Sequence, residues 1–365
     1  MKIALLGTRG IPANYGGFET FAEQLSVRLA ARGHEVTVYC RTNSVGNVGP
    51  AYQGVRLALL PTIAHKYFDT LAHTFLSTLH LALHPSDVAL YCNGANAIFT
   101  LLPRLLGMPT VLNVDGLERQ RRKWNALARG WYRLSEKLST WLPSAVVSDA
   151  RVIQQYYAEQ YGKQTRFIAY GAEAERVETT ATLEQWGLTP GEYFLYVSRM
   201  EPENNALLVV RAFEQARTAK KLVMVGDAPY AAEYIRQVKQ TADPRIRFTG
   251  AVYGQGYSEL QSNCFAYIHA TEVGGTHPAL IEAMGRSCVV LYLDTPENRE
   301  VAGEVGFAYN NGEAGLAAAI ESVDGLPEER RRQIGSAALE SARSRYDWDA
   351  VVGEYERLFE SLLHR

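Results

Sequence analysis

The sequence predicts an α/β fold built from two doubly wound domains in tandem. First, 365 residues are more than one hydrophobic core usually serves. Second, short apolar runs alternate with amphipathic stretches of helical length, which is typical of a parallel sheet with helices on both faces. Third, the alternation stops at a polar stretch, 171–190, and then begins again. We therefore expect domains at 1–170 and 171–345.

The strands and helices follow from the same pattern. In the first domain the predicted strands are 2–7, 34–40, 55–61, 88–93, 109–115, 145–149 and 165–170. The predicted helices there are 17–32, 68–84, 97–106, 121–141 and 150–161. The second domain has predicted strands at 193–199, 221–226, 246–250, 265–270, 288–293 and 306–310. Three helices, 313–322, 327–343 and 348–363, are expected to end the chain.

Composition limits the class of protein. The apolar fraction of 47% and the charged fraction of 21% are those of an ordinary soluble globular chain. The four cysteines lie far apart in or beside apolar runs, which indicates reduced, buried thiols in a cytoplasmic protein. Because the chain begins directly with a predicted strand, we expect no signal peptide, and we see no apolar stretch of the roughly 20 residues that cross a bilayer.

The net charge of −2 conceals an asymmetry between the two halves. Residues 1–170 hold 18 Lys and Arg against 10 Asp and Glu, whereas residues 171–365 hold 19 against 29. A basic first half indicates a partner that carries phosphates, or an anionic membrane surface.

The loop after the first strand, 7–19, carries two adjacent glycines at the start of a helix. Glycines let the backbone approach a ligand, and a helix N-terminus offers free N–H groups to an anion. The candidate residues of this loop are Arg9, Tyr15, Gly16, Gly17 and Phe18. Its spacing is not that of the G-x-G-x-x-G fingerprint, so an NAD site is not expected. The alternative is a merely flexible loop.

A second candidate segment follows the fifth strand. Asp115 and Glu118 stand where a carboxylate can bind a sugar hydroxyl or accept a proton, although Asp115 can instead cap the next helix. The stretch 119–141 mixes many cationic residues with tryptophans and a tyrosine, a composition that suits a membrane interface. The alternative is a solvated helix whose aromatic residues pack into the core.

Two loops of the second domain complete the candidates. Arg199 follows the first strand of that domain, where its fork of donors can clamp a diphosphate; pairing with Glu201 or Glu203 is the alternative. In the segment 269–284 a strand leads through a Gly-rich turn into a helix that begins near Pro278. Its N–H groups can hold phosphate oxygens, and Glu272 and Glu282 flank the turn. This combination indicates a nucleotide-sugar.

These residues resemble the retaining glycosyltransferase family 4, which has the GT-B fold of two Rossmann-like domains facing across a cleft. The resemblance covers essentially the whole chain. It implies that the C-terminal segment 346–365 forms a helix that packs back on the first domain. The strings around 8–19 and 115–118 further resemble a bacterial subgroup that includes rhamnosyltransferases of surface polysaccharides.

Carried over by residue, Glu282 matches the second glutamate of the family's E-x7-E motif, which holds the ribose, and Arg199 matches the diphosphate arginine. Two departures stand out: Gly274 occupies the place of the first glutamate, and Asn204 replaces the diphosphate lysine. Glu272, two residues earlier, is expected to fill the first role, and Arg9 to supply charge in place of the lysine. The complete expected donor-binding set is Arg199, Asn204, Val252, Tyr253, Glu272, Gly274, Gly275, Thr276, His277 and Glu282.

We therefore expect a retaining hexosyltransferase that moves L-rhamnose from dTDP-rhamnose, or another sugar from a dTDP- or UDP-linked donor. The acceptor is a glycan or a lipid-pyrophosphate-linked glycan, bound by the 8–18 loop, Asp115 and Glu118. Asp115, Glu272 and Arg199 are the catalytic candidates, and no cofactor or nucleic acid is expected. No metal is expected either, since the Asp347-Trp-Asp349 string stands at a helix start. The alternatives are a nucleotide-sugar 2-epimerase and a non-catalytic nucleotide-sugar-binding protein.

Overall fold

The computed structural model describes residues 1–14, 16–46, 48–65, 67–228, 231–310 and 312–364. The chain forms two compact units. The first unit consists of Met1–Tyr170 and Trp348–Arg365, and the second consists of Gly171–Asp347.

The first unit contains an eight-stranded sheet. Its strands are β1 (Lys2–Leu6), β2 (Glu35–Arg41), β3 (Ala51–Tyr52), β4 (Val55–Leu60), β5 (Val88–Cys92), β6 (Thr110–Val114), β7 (Ala145–Ser148) and β8 (Arg166–Phe167). Its helices up to residue 170 are α1 (Gly17–Ala31), α2 (Asp69–Leu83), α3 (Leu101–Leu105), α4 (Ala126–Ser139) and α5 (Arg151–Tyr161), with 3-10 turns at Gly94–Thr100 and Glu118–Gln120.

The strand order of this sheet is β3-β4-β2-β1-β5-β6-β7-β8. All neighbours are parallel except β3, which pairs antiparallel with β4. β3 was not predicted, because two residues are too few to show an alternation of apolar and polar side chains.

The second unit contains a six-stranded, wholly parallel sheet in the order β11-β10-β9-β12-β13-β14. Its strands are β9 (Tyr193–Val197), β10 (Lys221–Val225), β11 (Ile246–Gly250), β12 (Ala266–His269), β13 (Val290–Leu293) and β14 (Phe307–Tyr309). Its helices are α6 (Ala206–Gln215), α7 (Ala232–Val238), α8 (Gly254–Ser262), α9 (Pro278–Gly285), α10 (Pro296–Ala302), α11 (Glu313–Asp324) and α12 (Glu328–Arg345), with 3-10 turns at Glu184–Trp186, Pro202–Asn204 and Gly303–Val305. The predicted α/β class with two parallel sheets is confirmed.

The last helix, α13 (Trp348–Leu363), belongs to the first unit. Its Tyr355 hydroxyl accepts a hydrogen bond of 2.8 Å from Asn113 Nδ2 of β6. Arg32, just beyond α1, pairs with Glu356 at 2.5 Å and with Asp349 at 3.0 Å. The rings of Tyr355 and Trp348 also lie 5.5 and 6.4 Å from that of Phe21 in α1, so aromatic packing and these bonds hold the end of the chain on the first unit.

The strand order fixes where ligands can bind. In each sheet the chain first builds outward to one side of its first strand and then returns to build the other side. The order therefore reverses between β1 and β5 in the first unit, and between β9 and β12 in the second. Parallel sheets bind ligands at the carboxyl ends of the strands that flank such a reversal.

Candidate functional site

The reversal point of the second sheet brings two predicted loops together. The loop after β9 and the loop after β12 are joined by a backbone hydrogen bond of 3.0 Å from Glu272 N to Glu203 O. Asn205 adds a side-chain bridge, because its Nδ2 donates to the Ala270 carbonyl at 2.9 Å and to Glu272 Oε1 at 3.0 Å. Asn205 was not among the predicted site residues; its position directly before an apolar helix was the available signal.

Arg199 stands at the carboxyl end of β9, as predicted. Its guanidinium is 3.8 Å from the Glu201 carboxylate, and its side chain remains partly exposed. The ion pair between Arg199 and Glu201, which the sequence offered as the alternative to ligand binding, is therefore present, but its N–O distance is long. The guanidinium still faces solvent. An arginine in this position can donate to an anionic ligand.

Asn204 has a different place from the one that the donor-binding assignment implied. Its side chain is buried, and Nδ2 donates to the Arg199 carbonyl at 2.6 Å. Its own carbonyl accepts from the Tyr196 hydroxyl at 2.6 Å. Asn204 thus shapes the turn that carries Arg199, whereas a lysine would add a charge.

The Gly-rich turn explains why the first glutamate is displaced. A Cβ on Gly274 would stand 2.4 Å from a ring carbon of His277, closer than real side chains approach. No glutamate fits at 274 while His277 packs there. Gly275, Thr276 and His277 are also buried, and α9 begins at Pro278, where the sequence predicted.

Glu282 lies in α9 and is held by a residue that the sequence analysis missed. The Tyr257 hydroxyl of α8 donates to its carboxylate at 2.6 Å, and Gln261 Nε2 donates in turn to that hydroxyl at 2.8 Å. Burial raises the pKa of the Glu282 carboxyl above its ordinary value, while the Tyr257 hydrogen bond and the Arg286 charge act in the opposite direction. Nothing in the spacing from 257 to 282 indicates this contact.

The neighbouring candidates frame this site. Tyr253 is half exposed at the N-cap of α8, and Val252 is partly buried beside it. The rings of His269 and His277 lie 4.8 Å apart, and burial lowers the pKa of His269 to about 3, so that its imidazole is neutral. The site thus has cationic Arg199, backbone N–H groups and two carboxylates within one unit.

In the first unit the loop after β1 lies at that sheet's reversal point. A Cβ on Gly7, whose φ is +93°, would stand 2.3 Å from the Cys92 carbonyl at the end of β5. Two carboxylates of α1 anchor the loop: Glu19 accepts from Arg9 N at 3.0 Å, and Glu23 accepts from Ala13 N.

The other loop candidates are placed as follows. Gly16 is the N-cap of α1, which begins at Gly17, and the ring of Phe18 lies edge-on to Tyr170 at 6.2 Å. Tyr15 lies outside the described residues. The arrangement offers the start of α1, Arg9 and two glycines on one side of the sheet's reversal point.

Asp115 is partly buried directly after β6, and its Oδ1 accepts from Gly116 N at 2.8 Å. It does not cap the following long helix, because Asn125 caps α4 through a 2.9 Å bond from Ala128 N. Glu118 accepts from Arg121 Nε at 2.6 Å, so its carboxylate binds a residue three positions along the same turn.

The stretch 119–141 combines features of both interpretations. Trp131 packs inward and donates to the Ala95 carbonyl at 3.3 Å, as expected for aromatic residues that join a core. Trp141 is 62% exposed, and α4 also exposes Leu127 together with cationic side chains. In the part of the chain that the structure describes, no helix has the length and apolar character required to cross a membrane.

The comparisons with known proteins match this architecture. Residues 16–171 match the family model described as "Glycosyl transferase 4-like domain", and residues 191–323 match that described as "Glycosyl transferases group 1". The chain is a family 4-like glycosyltransferase with the GT-B fold. The predicted family is thus confirmed at this level, and a search of curated proteins gave no match.

Solved structures of glycosyltransferases share the fold over the full length. Sucrose-phosphate synthase from Thermosynechococcus elongatus superposes with a TM-score of 0.79 at 18% identity, covering 100% of this chain and 99% of that one. HepE from Anabaena, in complex with UDP-glucose, gives 0.81 at 17% identity over 99% and 100%. WaaG, a glycosyltransferase involved in lipopolysaccharide biosynthesis, gives 0.73 at 15% identity over 98% and 99%.

Proposed function

We propose that this glycosyltransferase moves a sugar, with retention of configuration, from a dTDP- or UDP-linked donor to a glycan or a lipid-pyrophosphate-linked acceptor. One observation carries the donor assignment. At the reversal point of the second sheet, a partly exposed arginine and two carboxylates surround a glycine-rich helix start. That set matches the parts of a nucleotide-sugar: a diphosphate flanked by two hydroxyl-bearing rings.

Each group has a defined task in this proposal. Arg199, the N–H groups of the turn 274–277 and those of the first turn of α9 after Pro278 bind the diphosphate and stabilise the negative charge that develops as it leaves. Glu282, oriented by Tyr257, accepts hydrogen bonds from the ribose hydroxyls. Glu272, held by Asn205, does the same for the sugar, so that the first carboxylate of the motif acts from a loop two residues longer.

In this mechanism the acceptor hydroxyl attacks on the face from which the diphosphate leaves, and a phosphate oxygen takes its proton. No covalent nucleophile and no metal are assigned a role. Catalysis rests on positioning and on stabilising the leaving diphosphate. The acceptor binds at the first unit, near the 8–18 loop and Asp115, and Arg9 contributes positive charge.

L-Rhamnose from dTDP-rhamnose is the proposed donor sugar, supported by the resemblance of the 8–19 and 115–118 strings to surface-polysaccharide rhamnosyltransferases. The structural similarity to WaaG is consistent with a role in the cell envelope. We further propose that the enzyme works at the inner face of the cytoplasmic membrane. The exposed cations of α4 and Trp141 support this proposal.

Thermal unfolding with dTDP, UDP, GDP and their sugars tests the donor site. A ligand that binds only the folded state at 100 times its Kd adds about 2.7 kcal/mol. For a domain of this size that corresponds to a rise in Tm of roughly 5–10 °C. The shift should occur with one nucleotide and disappear in Arg199→Ala, while Arg332→Ala, an exposed arginine of α12, should keep it. No shift with any nucleotide would contradict the donor assignment.

Turnover then separates transfer from the two alternative functions. A transferase consumes its donor only when an acceptor is present, a 2-epimerase releases an epimerised sugar without one, and a binding protein consumes nothing. Product analysis by NMR also gives the anomeric configuration, so an inverted product would contradict retention.

A further inference from the structure

Helix α2 is amphipathic, but its polar face is buried and its apolar face is exposed. The side chains that it buries are largely polar: Asp69, His73, Thr74, Ser77 and Thr78. The large side chains that it and its N-cap residue expose are all apolar: Phe68, Phe75, Leu76, Leu79 and Leu83. A surface helix of a soluble protein ordinarily buries its apolar stripe and exposes its polar one.

The inner face fixes this orientation by specific bonds. Asp69 accepts from the buried Arg41 of β2 at 2.7 Å and from the Thr62 hydroxyl at 2.9 Å. Thr78 shares a 3.0 Å hydrogen bond with the Tyr91 hydroxyl of β5. A helix that turned its apolar stripe inward would lose these bonds and would leave the buried charge of Arg41 unpaired. The hydrogen bonds of the buried polar face therefore keep the apolar face of α2 turned outward.

The neighbouring elements extend the apolar surface. The ring of Phe75 lies 6.4 Å from that of Phe99, in the 3-10 turn that leads into α3. That turn, α3 and the residue after it expose further large apolar side chains: Ile98, Leu101, Leu105 and Leu106. Leu83 of α2 and Leu105 of α3 are 79% and 74% exposed, and large exposed apolar patches of this kind mark interaction surfaces. We call these nine side chains, namely Phe68, the four of α2 and the four just named, the outer apolar face.

The exposed charges on the segments that form and border this face are cations, whereas Asp87, beyond the end of α2, is an exposed carboxylate that accepts from Lys2 N. In the segments 63–84, 94–106 and 119–141, the carboxylates are Asp69 and Glu136. Both are buried, and both are paired with arginines. The exposed charges that the structure describes there are cations: Arg104, Arg122, Arg129, Arg133 and Lys137. An apolar surface bordered by cations is complementary to a bilayer with anionic headgroups.

We propose that the outer apolar face of α2 and α3 inserts into the interface of an anionic membrane, with the cations of α4 and Arg104 at the headgroups. The proposal rests on the proposed function in one respect, since a lipid-linked acceptor is what gives such docking a purpose. It extends that function by assigning the inserted apolar surface to residues outside 119–141, with the cations of α4 beside it. A second copy of the chain is a poorer occupant, because a two-fold contact would place cations against cations.

Vesicle flotation tests the proposal with the full chain. Vesicles of phosphatidylcholine containing phosphatidylglycerol should bind the protein, and those of phosphatidylcholine alone should bind it at least several-fold less. Leu79→Asp and Leu83→Asp should each reduce binding about tenfold, because an inserted leucine is lost and a charge is added. Leu363→Asp is the matched control, since Leu363 in α13 is exposed by 37% and Leu79 by 41%. This control should bind as the wild type does.

Three results would overturn the proposal: no binding to anionic vesicles, equal loss in Leu363→Asp, or lipid-free self-association that Leu83→Asp abolishes in sedimentation. Each variant is also assayed for the nucleotide-induced Tm shift. A variant that loses vesicles but keeps that shift is folded, so its loss is specific to the surface. If the wild type binds vesicles as expected but shows no nucleotide shift, the proposed function fails and the membrane surface stands.

Discussion

The bridge made by Asn205 allows a quantitative prediction about the donor site. Asn205→Gly removes both hydrogen bonds of the side chain and keeps the left-handed backbone, φ +59°, which glycine adopts without strain. A hydrogen bond to a neutral carbonyl is worth about 0.5–1.5 kcal/mol and one to a carboxylate about 1.5–3 kcal/mol. We therefore expect unfolding free energy to fall by about 2–4 kcal/mol. The corresponding decrease in Tm is roughly 4–16 °C.

The functional effect should be separable from this loss of stability. Without the Asn205 amide, Glu272 is no longer fixed, so the KM for the donor should rise about tenfold well below the Tm. The kcat should change less, because Glu272 is proposed to bind the sugar in both the ground state and the transition state. Steady-state kinetics with increasing donor, at a temperature where the variant is fully folded, gives both constants.

Ser287→Gly is the matched control. Ser287 also has a positive φ, +63°, and lies in the second unit outside the two loops. This change relieves backbone strain without removing a contact at the site, so the Tm should stay equal or rise and the KM should not change. If Asn205→Gly melts like the wild type, or if both variants raise the KM equally, Asn205 does not position Glu272.

Three further predictions concern buried groups. Gly274→Ala should cost about 1–3 kcal/mol in thermal unfolding, because its Cβ meets the His277 ring; an unchanged Tm would contradict that packing. The pKa of Glu282 is raised, so the folded wild type loses stability as pH rises above the ordinary range of a glutamate. Glu282→Gln should therefore melt progressively higher relative to the wild type as the pH rises above about 4, and a constant difference would count against this. Burial lowers the pKa of His73 to about 4, so the unfolded chain binds that proton first. On lowering the pH from about 6.5 to about 4, the wild type should lose about 3 kcal/mol more than His73→Phe in urea titrations, and parallel losses would refute this.

The architecture could be predicted from the sequence because a buried strand appears there as a short apolar run. The apolar runs 193–199 and 246–250 correspond to β9 and β11 within two residues at each end. The loops that carry the site were accessible for the same reason, since they follow strands whose ends the pattern already marks. Arg199 and Glu272 were selected as candidates in this way.

The individual contacts of the site were not accessible, because they depend on which side chains meet across the fold. Asn204 looked like a weakened substitute for a diphosphate lysine, yet it binds the Arg199 carbonyl. Tyr257 was missed because its partner Glu282 is 25 residues away and no periodicity connects them. The displaced glutamate could be recognised from spacing, but the packing of the His277 ring against Gly274, which leaves no room for a side chain at 274, has no signature in that spacing.

Helix α2 illustrates a further limit of pattern reading. A period of 3.6 shows that one face is apolar, but it does not show which face meets the sheet. That choice is made by residues far along the chain, where Arg41 and Tyr91 offer polar groups to Asp69 and Thr78. Since the sheet beneath α2 is built to receive a polar face, the apolar face cannot be explained as part of this unit's own core. We attribute the apolar face to what the outer surface contacts. Because the exposed charges on the segments that border it are cations, an anionic bilayer is the contact to test first.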